Sequence, residues 1–255
     1  MSRIFISGSS DGLGSLAAKA LVKNNHQVYL HARNAQRAKD AEKACPGAAG
    51  VLIADLSSTE QTKQLANELN EKGPWDSIIM NAGVMRVSST QQGPEGHATL
   101  FATNVLAPYM LTCLVQPPPK HLVFLSSQLH QSGDSSLRNL TSCGYSDSKL
   151  YNTMLAFFFA RKWPNVQVNS LDPGWVATKM GGAGASGSAE AATQSYVMLA
   201  EGSGPAKGKS GRHWYHNGEK NFQEAAADES LQENLVQELE KISGISVPSQ
   251  TSTNL

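Results

Sequence analysis

The stretch Ile4-Phe5-Ile6-Ser7-Gly8-Ser9-Ser10-Asp11-Gly12-Leu13-Gly14 decides the fold. Its apolar start is typical of a buried β-strand, and three glycines follow it directly. Beyond them, apolar residues recur at helical spacing from Leu16 to Leu21 and predict a helix. A glycine turn between a strand and a helix N-terminus lets backbone amides approach an anion closely. The stretch therefore predicts a phosphate site, although its G-x3-G-x-G spacing also fits a plain strand-to-helix turn.

Outward from this stretch, short apolar runs alternate with helical patterns along the chain. The alternation is typical of βαβ units, in which helices cover both faces of a parallel sheet. The candidate strands are Ile4–Ser7, Val28–Ala32, Val51–Ala54, Ser77–Met80, Leu122–Ser126, Val166–Leu171 and Gly211–Tyr215. We therefore predict a single doubly wound α/β domain over residues 1–245. Residues 246–255 are polar and are predicted to form a flexible tail.

Composition excludes several classes of protein. The 255 residues contain 21 Lys+Arg and 21 Asp+Glu, and this balance argues against a nucleic-acid partner. The three cysteines, an odd number without metal-ligand spacing, indicate neither a disulfide framework nor a metal site. No apolar run approaches the roughly 18 residues of a membrane span, and the first strand leaves no room for a signal peptide. We expect a soluble, cytoplasmic protein that acts on a small molecule.

The end of the second candidate strand bears on the identity of the phosphate ligand. In a dinucleotide site, an acidic side chain about 20 residues beyond the glycines accepts a hydrogen bond from the ribose 2′-hydroxyl. Here the sequence reads Leu30-His31-Ala32-Arg33-Asn34, with no acid. The Arg33 guanidinium matches a 2′-phosphate. This pattern favours NADP(H) over NAD(H), unless Arg33 is a solvated surface charge.

A second motif, Tyr145-Ser146-Asp147-Ser148-Lys149, predicts acid–base chemistry. Residues i and i+4 share one face of a helix, so the phenol and the ammonium can point into one cleft. A nearby cation lowers a phenol pKa from its usual value near 10. Tyr145 is thus a candidate proton donor and acceptor, although most tyrosine–lysine pairs at this spacing lie on helix surfaces.

Further motifs follow in a fixed order along the chain. They are Asp55-Leu56 after the third strand, Asn81-Ala82-Gly83 after the fourth, Asn104 within a helix, Ser126-Ser127 after the fifth, and Asp172-Pro173-Gly174-Trp175-Val176-Ala177-Thr178 after the sixth. Together with the first two motifs, they resemble the short-chain dehydrogenase/reductase family over nearly the whole chain. The stretch from Pro173 to Ala200 is most similar to carbonyl-reductase and retinol-dehydrogenase-like members.

The resemblance implies a Rossmann-type domain with a seven-stranded parallel sheet. It also implies that Tyr145 is the catalytic acid/base and that Lys149 lowers its pKa and binds the nicotinamide ribose. Ser127 would hold the substrate oxygen, and Asn104 would order a water in the proton relay. The neighbouring Ser126 is an alternative catalytic serine, unless the backbone satisfies its hydroxyl.

The resemblance assigns the coenzyme to a larger set of residues. Asp55 would meet the adenine amino group, Asn81 would line the adenosine ribose, and the turn after the sixth strand would pack on the nicotinamide. The coenzyme-binding set is Gly8, Ser10, Asp11, Gly12, Leu13, Gly14, Arg33, Asp55, Leu56, Asn81, Ala82, Gly83, Tyr145, Lys149, Pro173, Gly174, Val176 and Thr178.

Three features depart from the family pattern or from the regular alternation. Asp11 stands where many NADP-dependent members have a basic residue, and an inward carboxylate would disfavour a 2′-phosphate. Residues 130–143 contain an insertion that we expect to border the substrate cleft. The segment Met180–Ser188, rich in Gly, Ala and Ser, lacks the side chains for a packed conformation of its own and is predicted to form a lid near residues 180–200.

From these observations the sequence predicts an oxidoreductase that transfers a hydride between NADP(H) and a carbonyl or alcohol, without a metal. One alternative is a non-enzymatic dinucleotide-binding regulator, which would not need the tyrosine, lysine and serine set. A lyase or isomerase on the same scaffold is another. The sequence leaves the substrate and the oligomeric state open.

Overall fold

The computed structural model describes residues 1–249, which form a single eight-stranded sheet. Its strands run in the order β3-β2-β1-β4-β5-β6-β7-β8, and the pairs from β3 to β7 are all parallel. The strands are β1 (Arg3–Ile6), β2 (Gln27–Ala32), β3 (Gly50–Ile53), β4 (Ser77–Met80), β5 (His121–Leu125), β6 (Gln167–Asp172), β7 (His213–Tyr215) and β8 (Gly218–Glu219).

The structure differs at one edge from the predicted seven-stranded, wholly parallel sheet. After β7 the chain reverses at His216, whose φ of 51° is in the left-handed region, and β8 pairs antiparallel with β7. The sheet is therefore mixed. A strand of two residues is too short to show an alternating hydrophobic pattern, which is why the sequence did not predict it.

Helices cover both faces of the sheet, as the alternation predicts. One core joins β1 to α1 (Gly12–Lys23), α2 (Ala35–Ala44) and α7 (Ala189–Glu201). The core on the opposite face contains α3 (Thr59–Lys72), α5 (Ala107–Leu114), α6 (Tyr145–Lys162) and α8 (Glu229–Ser243). Helix starts follow local chemistry, since the N-cap side chains of Asn34, Ser58, Ser188 and Asp228 each accept a backbone amide hydrogen bond.

The helix expected around Asn104 has an irregular interior. It begins at α4 (Thr99–Phe101), passes through a π-helical turn over Ala102–Leu106, and continues as α5. Asn104 lies inside the π turn. Such turns are rare and occur often at functional sites. No residue type in this segment signals the turn.

The order of the strands fixes where a ligand can bind. From β1 the chain moves to β2 and β3 on one side and then crosses to β4 on the other. At such a reversal the loops after neighbouring strands diverge and leave a crevice at the carboxyl edge of the sheet. Gly8, Asn81, Ser127 and Pro173 follow β1, β4, β5 and β6, so all four lie at this edge.

Within residues 1–249, no helix is both long enough and apolar enough to cross a membrane. The same residues contain no group of three or more His, Cys, Asp and Glu side chains arranged to hold a metal ion, and Cys45, Cys113 and Cys143 are buried free thiols. Most of the predicted tail, residues 250–255, lies outside the described residues. At its beginning, the Val247 amide donates to Glu240 Oε1 at 2.9 Å.

Candidate active site

A cleft of about 530 Å³ opens at the carboxyl edge of the sheet. Most of the predicted site residues line it: Gly8, Ser10, Asp11, Gly12, Leu13, Gly14, Arg33, Asp55, Leu56, Asn81, Ala82, Gly83, Tyr145, Lys149, Pro173 and Thr178. Four predicted residues do not line it, namely Asn104, Ser127, Gly174 and Val176. The sequence motifs thus converge on one place, although they are dispersed over more than half of the chain.

The glycine turn forms a narrow cradle at one end of the cleft. Gly8 and Gly12 have φ values of 62° and 57°, which favour glycine. A Cβ on Gly8 would lie 2.8 Å from Ala82 Cα, and one on Gly14 would lie 2.5 Å from Asn81 Nδ2. The turn therefore requires glycine at these positions, and the start of α1 adds oriented amides. This arrangement fits a pyrophosphate group.

His31, which the sequence analysis did not single out, supports this turn from below. Its Nδ1 accepts the Gly8 amide proton at 2.9 Å, and its Nε2 lies 2.9 Å from the Ala54 carbonyl oxygen. The two bonds together assign the neutral tautomer with the proton on Nε2. Burial lowers the pKa of His31 to about 4, so the ring stays neutral at physiological pH.

Asn81 contacts the turn from the side and is itself held by Tyr196 on α7. Its Nδ2 donates to the Ser7 and Gly8 carbonyl oxygens at 2.8 and 2.9 Å. Its Oδ1 accepts from the buried Tyr196 hydroxyl at 2.7 Å. Both polar atoms of the Asn81 side chain are thus hydrogen-bonded to other protein groups. Asn81 therefore helps to form the cleft wall at which it was predicted to lie.

Basic groups surround the end of the cleft near β2. Arg33 is exposed and lines the cleft as predicted. Arg37, one turn into α2, also lines it and forms an ion pair with Asp11. Lys179 lies 3.2 Å from the same carboxylate. The negative charge of Asp11, which the sequence analysis placed against a 2′-phosphate, is therefore compensated by two cations.

Tyr145 and Lys149 lie on one face of α6, as their spacing predicts. The Lys149 ammonium lies 5.5 Å from the centre of the Tyr145 ring and donates to the Leu125 carbonyl oxygen at 2.9 Å. Burial raises the pKa of Tyr145 to about 12, opposed by the Ser127 hydroxyl, and burial lowers the pKa of Lys149 to about 8. The expected lowering of the Tyr145 pKa is thus not seen in the protein alone, because desolvation is the largest cause of the shift and the Asp172 charge adds to it.

The two serines after β5 have different surroundings. The Ser126 hydroxyl is buried between the Lys149 carbonyl oxygen at 3.1 Å and Thr153 Oγ1 at 2.9 Å. Its hydrogen-bonding capacity is used within the fold, as expected if the protein itself satisfies this hydroxyl. Ser127 is half-buried and accepts only a long bond, 3.3 Å, from the Leu129 amide. Ser126 lines the cleft and Ser127 does not, but the Ser127 hydroxyl acts on the Tyr145 phenol, so Ser127 is the better candidate of the two to bind a substrate oxygen.

Asn104 lies behind the Tyr145–Lys149 pair. Its Oδ1 accepts the Val84 amide proton at 2.8 Å, and its Nδ2 donates to the Val84 carbonyl and to Ser148 Oγ at 2.9 and 3.1 Å. A Cβ on Gly83 would lie 3.4 Å from both Asn104 Oδ1 and Lys149 Nζ. The Asn104 side chain thus fixes the loop after β4, and its predicted water would have to be bound through the main chain.

The glycine-rich segment after β6 arches over the cleft. Lys179 pairs with Asp11, and Met180 Sδ lies 3.9 Å from the Tyr145 hydroxyl, so consecutive residues reach its two ends. A Cβ on Gly187 would lie 2.5 Å from the Trp175 carbonyl oxygen. Gly187 thus permits a close backbone approach to Trp175, whereas a Cβ on Gly182 or Gly184 would meet nothing within 4 Å, so the segment packs closely at only some of its glycines. Its opening as a lid stays a prediction.

Comparisons with known proteins agree with this architecture. A family model described as short chain dehydrogenase matches residues 2–187. An uncharacterized oxidoreductase of Emericella nidulans is 45% identical over 97% of this chain and 99% of its own. The short-chain dehydrogenase chyC of Penicillium rubens is 40% identical over 97% of this chain and 100% of its own.

Solved structures show the same fold at lower identity. An uncharacterized protein from Mycobacterium paratuberculosis has a TM-score of 0.81 at 20% identity, over 97% of this chain and 95% of its own. A short chain dehydrogenase from Shigella flexneri, complexed with NADP, has a TM-score of 0.67 at 23% identity, over 85% of this chain and 97% of its own.

Proposed function

Because the chain belongs to the short-chain dehydrogenase family, we propose that it is an NADP(H)-dependent oxidoreductase that interconverts a carbonyl compound and an alcohol. The observation that carries the proposal is the shared cleft. Tyr145 and Lys149 line the same cavity as the glycine turn and Arg33. A dinucleotide lying along this cavity would extend from the basic end to the phenol.

The residues around the cleft suit the coenzyme. The glycine turn and the start of α1 would hold the pyrophosphate, and Lys149 would bind the nicotinamide ribose. Arg33 and Arg37 support the choice of NADP(H), because both guanidiniums can pair with a 2′-phosphate. The Shigella flexneri neighbour complexed with NADP is consistent with this choice. When bound, the reduced coenzyme supplies the hydride for the carbonyl carbon.

The chain's own residues would handle the proton. With a pKa near 12, the Tyr145 phenol carries its proton at neutral pH, as donation to a carbonyl oxygen requires. The Ser127 hydroxyl would donate a hydrogen bond to the same oxygen and stabilise the negative charge that develops on it. The buried Lys149 ammonium would favour the phenolate left after proton transfer.

Replacing Tyr145 with phenylalanine tests the proposal. Absorbance of NADPH is followed with a panel of aldehydes, ketones, quinones, steroids and retinoids. Turnover should fall by roughly a hundred-fold to ten-thousand-fold, the range for a positioned acid/base. NADPH affinity should change little, because the ring is kept. Tyr151→Phe is the matched control, since it also removes a hydroxyl from α6, one that donates to the Asp134 carbonyl oxygen.

Two results would contradict the proposal. A Tyr145→Phe protein with wild-type turnover would remove the phenol from the mechanism. An absence of turnover by the wild type across the panel, together with tight NADPH binding, would favour the non-enzymatic regulator.

A further inference from the structure

A buried carboxylate that the proposed mechanism does not use lies at the end of β6. Asp172 is 1% exposed. Its Oδ1 accepts the Gly174 amide proton at 3.0 Å, and its Oδ2 lies 3.4 Å from Lys220 Nζ. The first contact closes a local turn around Pro173, and the second is an ion pair. Because a buried charge is costly unless it is paired, Lys220 is the group that lets Asp172 remain in this position as a carboxylate.

Lys220 is brought to this place by the hairpin that the sequence did not predict. It directly follows β8, and its backbone amide donates to the His213 carbonyl oxygen at 2.9 Å. Its ammonium lies 4.0 Å from the centre of the Tyr215 ring. The antiparallel strand therefore holds a partly buried cation against the end of β6.

The charge of Asp172 has an electrostatic effect on the Tyr145 phenol. The titratable and polar groups that act on this phenol are Lys149 on its own helix, Ser127 after β5, Asp172 at the end of β6 and Tyr196 on α7. Asp172 acts to raise the Tyr145 pKa, which stabilises the protonated phenol. A change in the placement of this carboxylate would therefore change the acid–base behaviour of Tyr145.

The charges of Asp172 and Lys220 also act on His130. It is buried, its Nδ1 lies 2.6 Å from the Ser127 carbonyl oxygen, and its ring centre is 4.7 Å from that of His213. Burial lowers its pKa, while Asp172 raises it and Lys220 lowers it. The titration of His130 therefore responds to a change in either member of the ion pair.

We propose that Lys220 is a positioning residue for the reaction, because its ammonium holds and compensates the Asp172 carboxylate on the Gly174 amide, at the turn after β6 whose Pro173 lines the same cleft as Tyr145. The inference rests on the proposed function for its effect on turnover. Without the ammonium, the carboxylate loses its paired cation, and its charge acts uncompensated on the phenol and on His130.

Lys220→Met removes the cation and keeps an apolar stem of similar length. The pH profile of oxidation is measured with the alcohol formed from the best carbonyl substrate of the panel. Its midpoint should move upward by on the order of one unit, as expected for a nearby negative charge that has lost its paired cation. Asp172→Asn should move it downward, and Lys220→Met should have little further effect in the Asp172→Asn background. Lys220→Arg should restore the wild-type profile.

Lys209→Met is the matched control. Lys209 lies near the same hairpin, pairs with Glu219 at 2.6 Å and lies 5.4 Å from the centre of the Trp214 ring. Its replacement removes a comparable ion pair and cation–π contact. The pH profile should not move, which separates a specific effect of Lys220 from general weakening of the hairpin.

Two measurements by nuclear magnetic resonance do not require turnover. In Lys220→Met the Gly174 amide proton should move upfield as it loses its carboxylate acceptor, and the pKa of His130 should rise. Unchanged values for both would overturn the inference even for an inactive protein. For an active protein, an unmoved pH profile in Lys220→Met would overturn it, as would a shift of the same size with and without Asp172. If the wild type shows no turnover on the panel but both spectral changes occur in Lys220→Met, the result contradicts the proposed function and leaves the positioning of Asp172 by Lys220 standing.

Discussion

Replacing Arg37 with alanine should reveal how the protein selects its coenzyme. Arg37 binds Asp11, lies 3.3 Å from Ser10 Oγ and 3.0 Å from Asp40 Oδ2, and lines the cleft near Arg33. If the coenzyme carries a 2′-phosphate, the substitution removes one of its cations. It also leaves the Asp11 carboxylate with less compensation beside the phosphate.

The structure sets the size of the effect. A hydrogen bond to a charged group contributes about 1.5 to 3 kcal/mol. The exposed Asp11 side chain, at 45%, adds only about 0.5 kcal/mol of repulsion, since solvent screens it and Lys179 still pairs with it. The sum is about 2 to 3.5 kcal/mol, so NADPH should bind roughly 30-fold to 300-fold more weakly. NADH, which has no 2′-phosphate, should bind almost as well as before.

Fluorescence titration with both coenzymes measures these affinities. Lys39→Ala is the control, because Lys39 is an exposed cation of the same helix that does not line the cleft. Adding Asp11→Asn to the Arg37 variant should recover about two-fold in NADPH affinity. Equal weakening of NADPH and NADH would refute the reasoning, since it would mean that Arg37 supports the glycine turn and not the phosphate.

Two further predictions concern stability. Gly187→Ala should lower the free energy of unfolding in urea by about 1 to 3 kcal/mol, because the new Cβ would overlap the Trp175 carbonyl oxygen. Gly184→Ala, with nothing within 4 Å, should change it by less than about 0.5 kcal/mol, and an equal loss in both would contradict the packing described for this segment. His31 has a pKa of about 4 when folded, so the unfolded chain binds more protons between about pH 6.5 and 4 and stability falls as the pH decreases through that window. The loss attributable to His31 should reach about 3 kcal/mol at low pH, and urea titrations of His31→Gln should show a correspondingly smaller drop.

The parts of the fold that the sequence predicted are those fixed by local chemistry. Gly8 and Gly12 adopt conformations that favour glycine, so their spacing reports the turn directly. Tyr145 and Lys149 share a helix face because their separation is close to one turn. Family membership followed from the order of such motifs and is confirmed by the family model and the relatives.

The features that the sequence missed depend on contacts between distant segments. Arg37 reaches the cleft from α2, and nothing in its local sequence distinguishes it from other helix residues. Two-residue β8 has no periodicity to detect. The segment over residues 180–188 shows the limit most clearly, because its composition does not reveal that a Cβ on Gly187 would meet Trp175 while one on Gly184 would meet nothing within 4 Å.

The pKa of Tyr145 shows why a correct motif still does not give the electrostatics of a site. The spacing of Tyr145 and Lys149 places both groups on one face, but it does not set the direction of the ammonium. Lys149 Nζ donates to the Leu125 carbonyl oxygen, and burial acts on both side chains. Desolvation disfavours the charged form of each group, so it raises the pKa of the phenol and lowers that of the ammonium. The free protein therefore holds both groups closer to neutrality than the motif suggests. Under the proposed function, it is the charge of the bound oxidised coenzyme, added to that of Lys149, that would bring the phenol into a useful range.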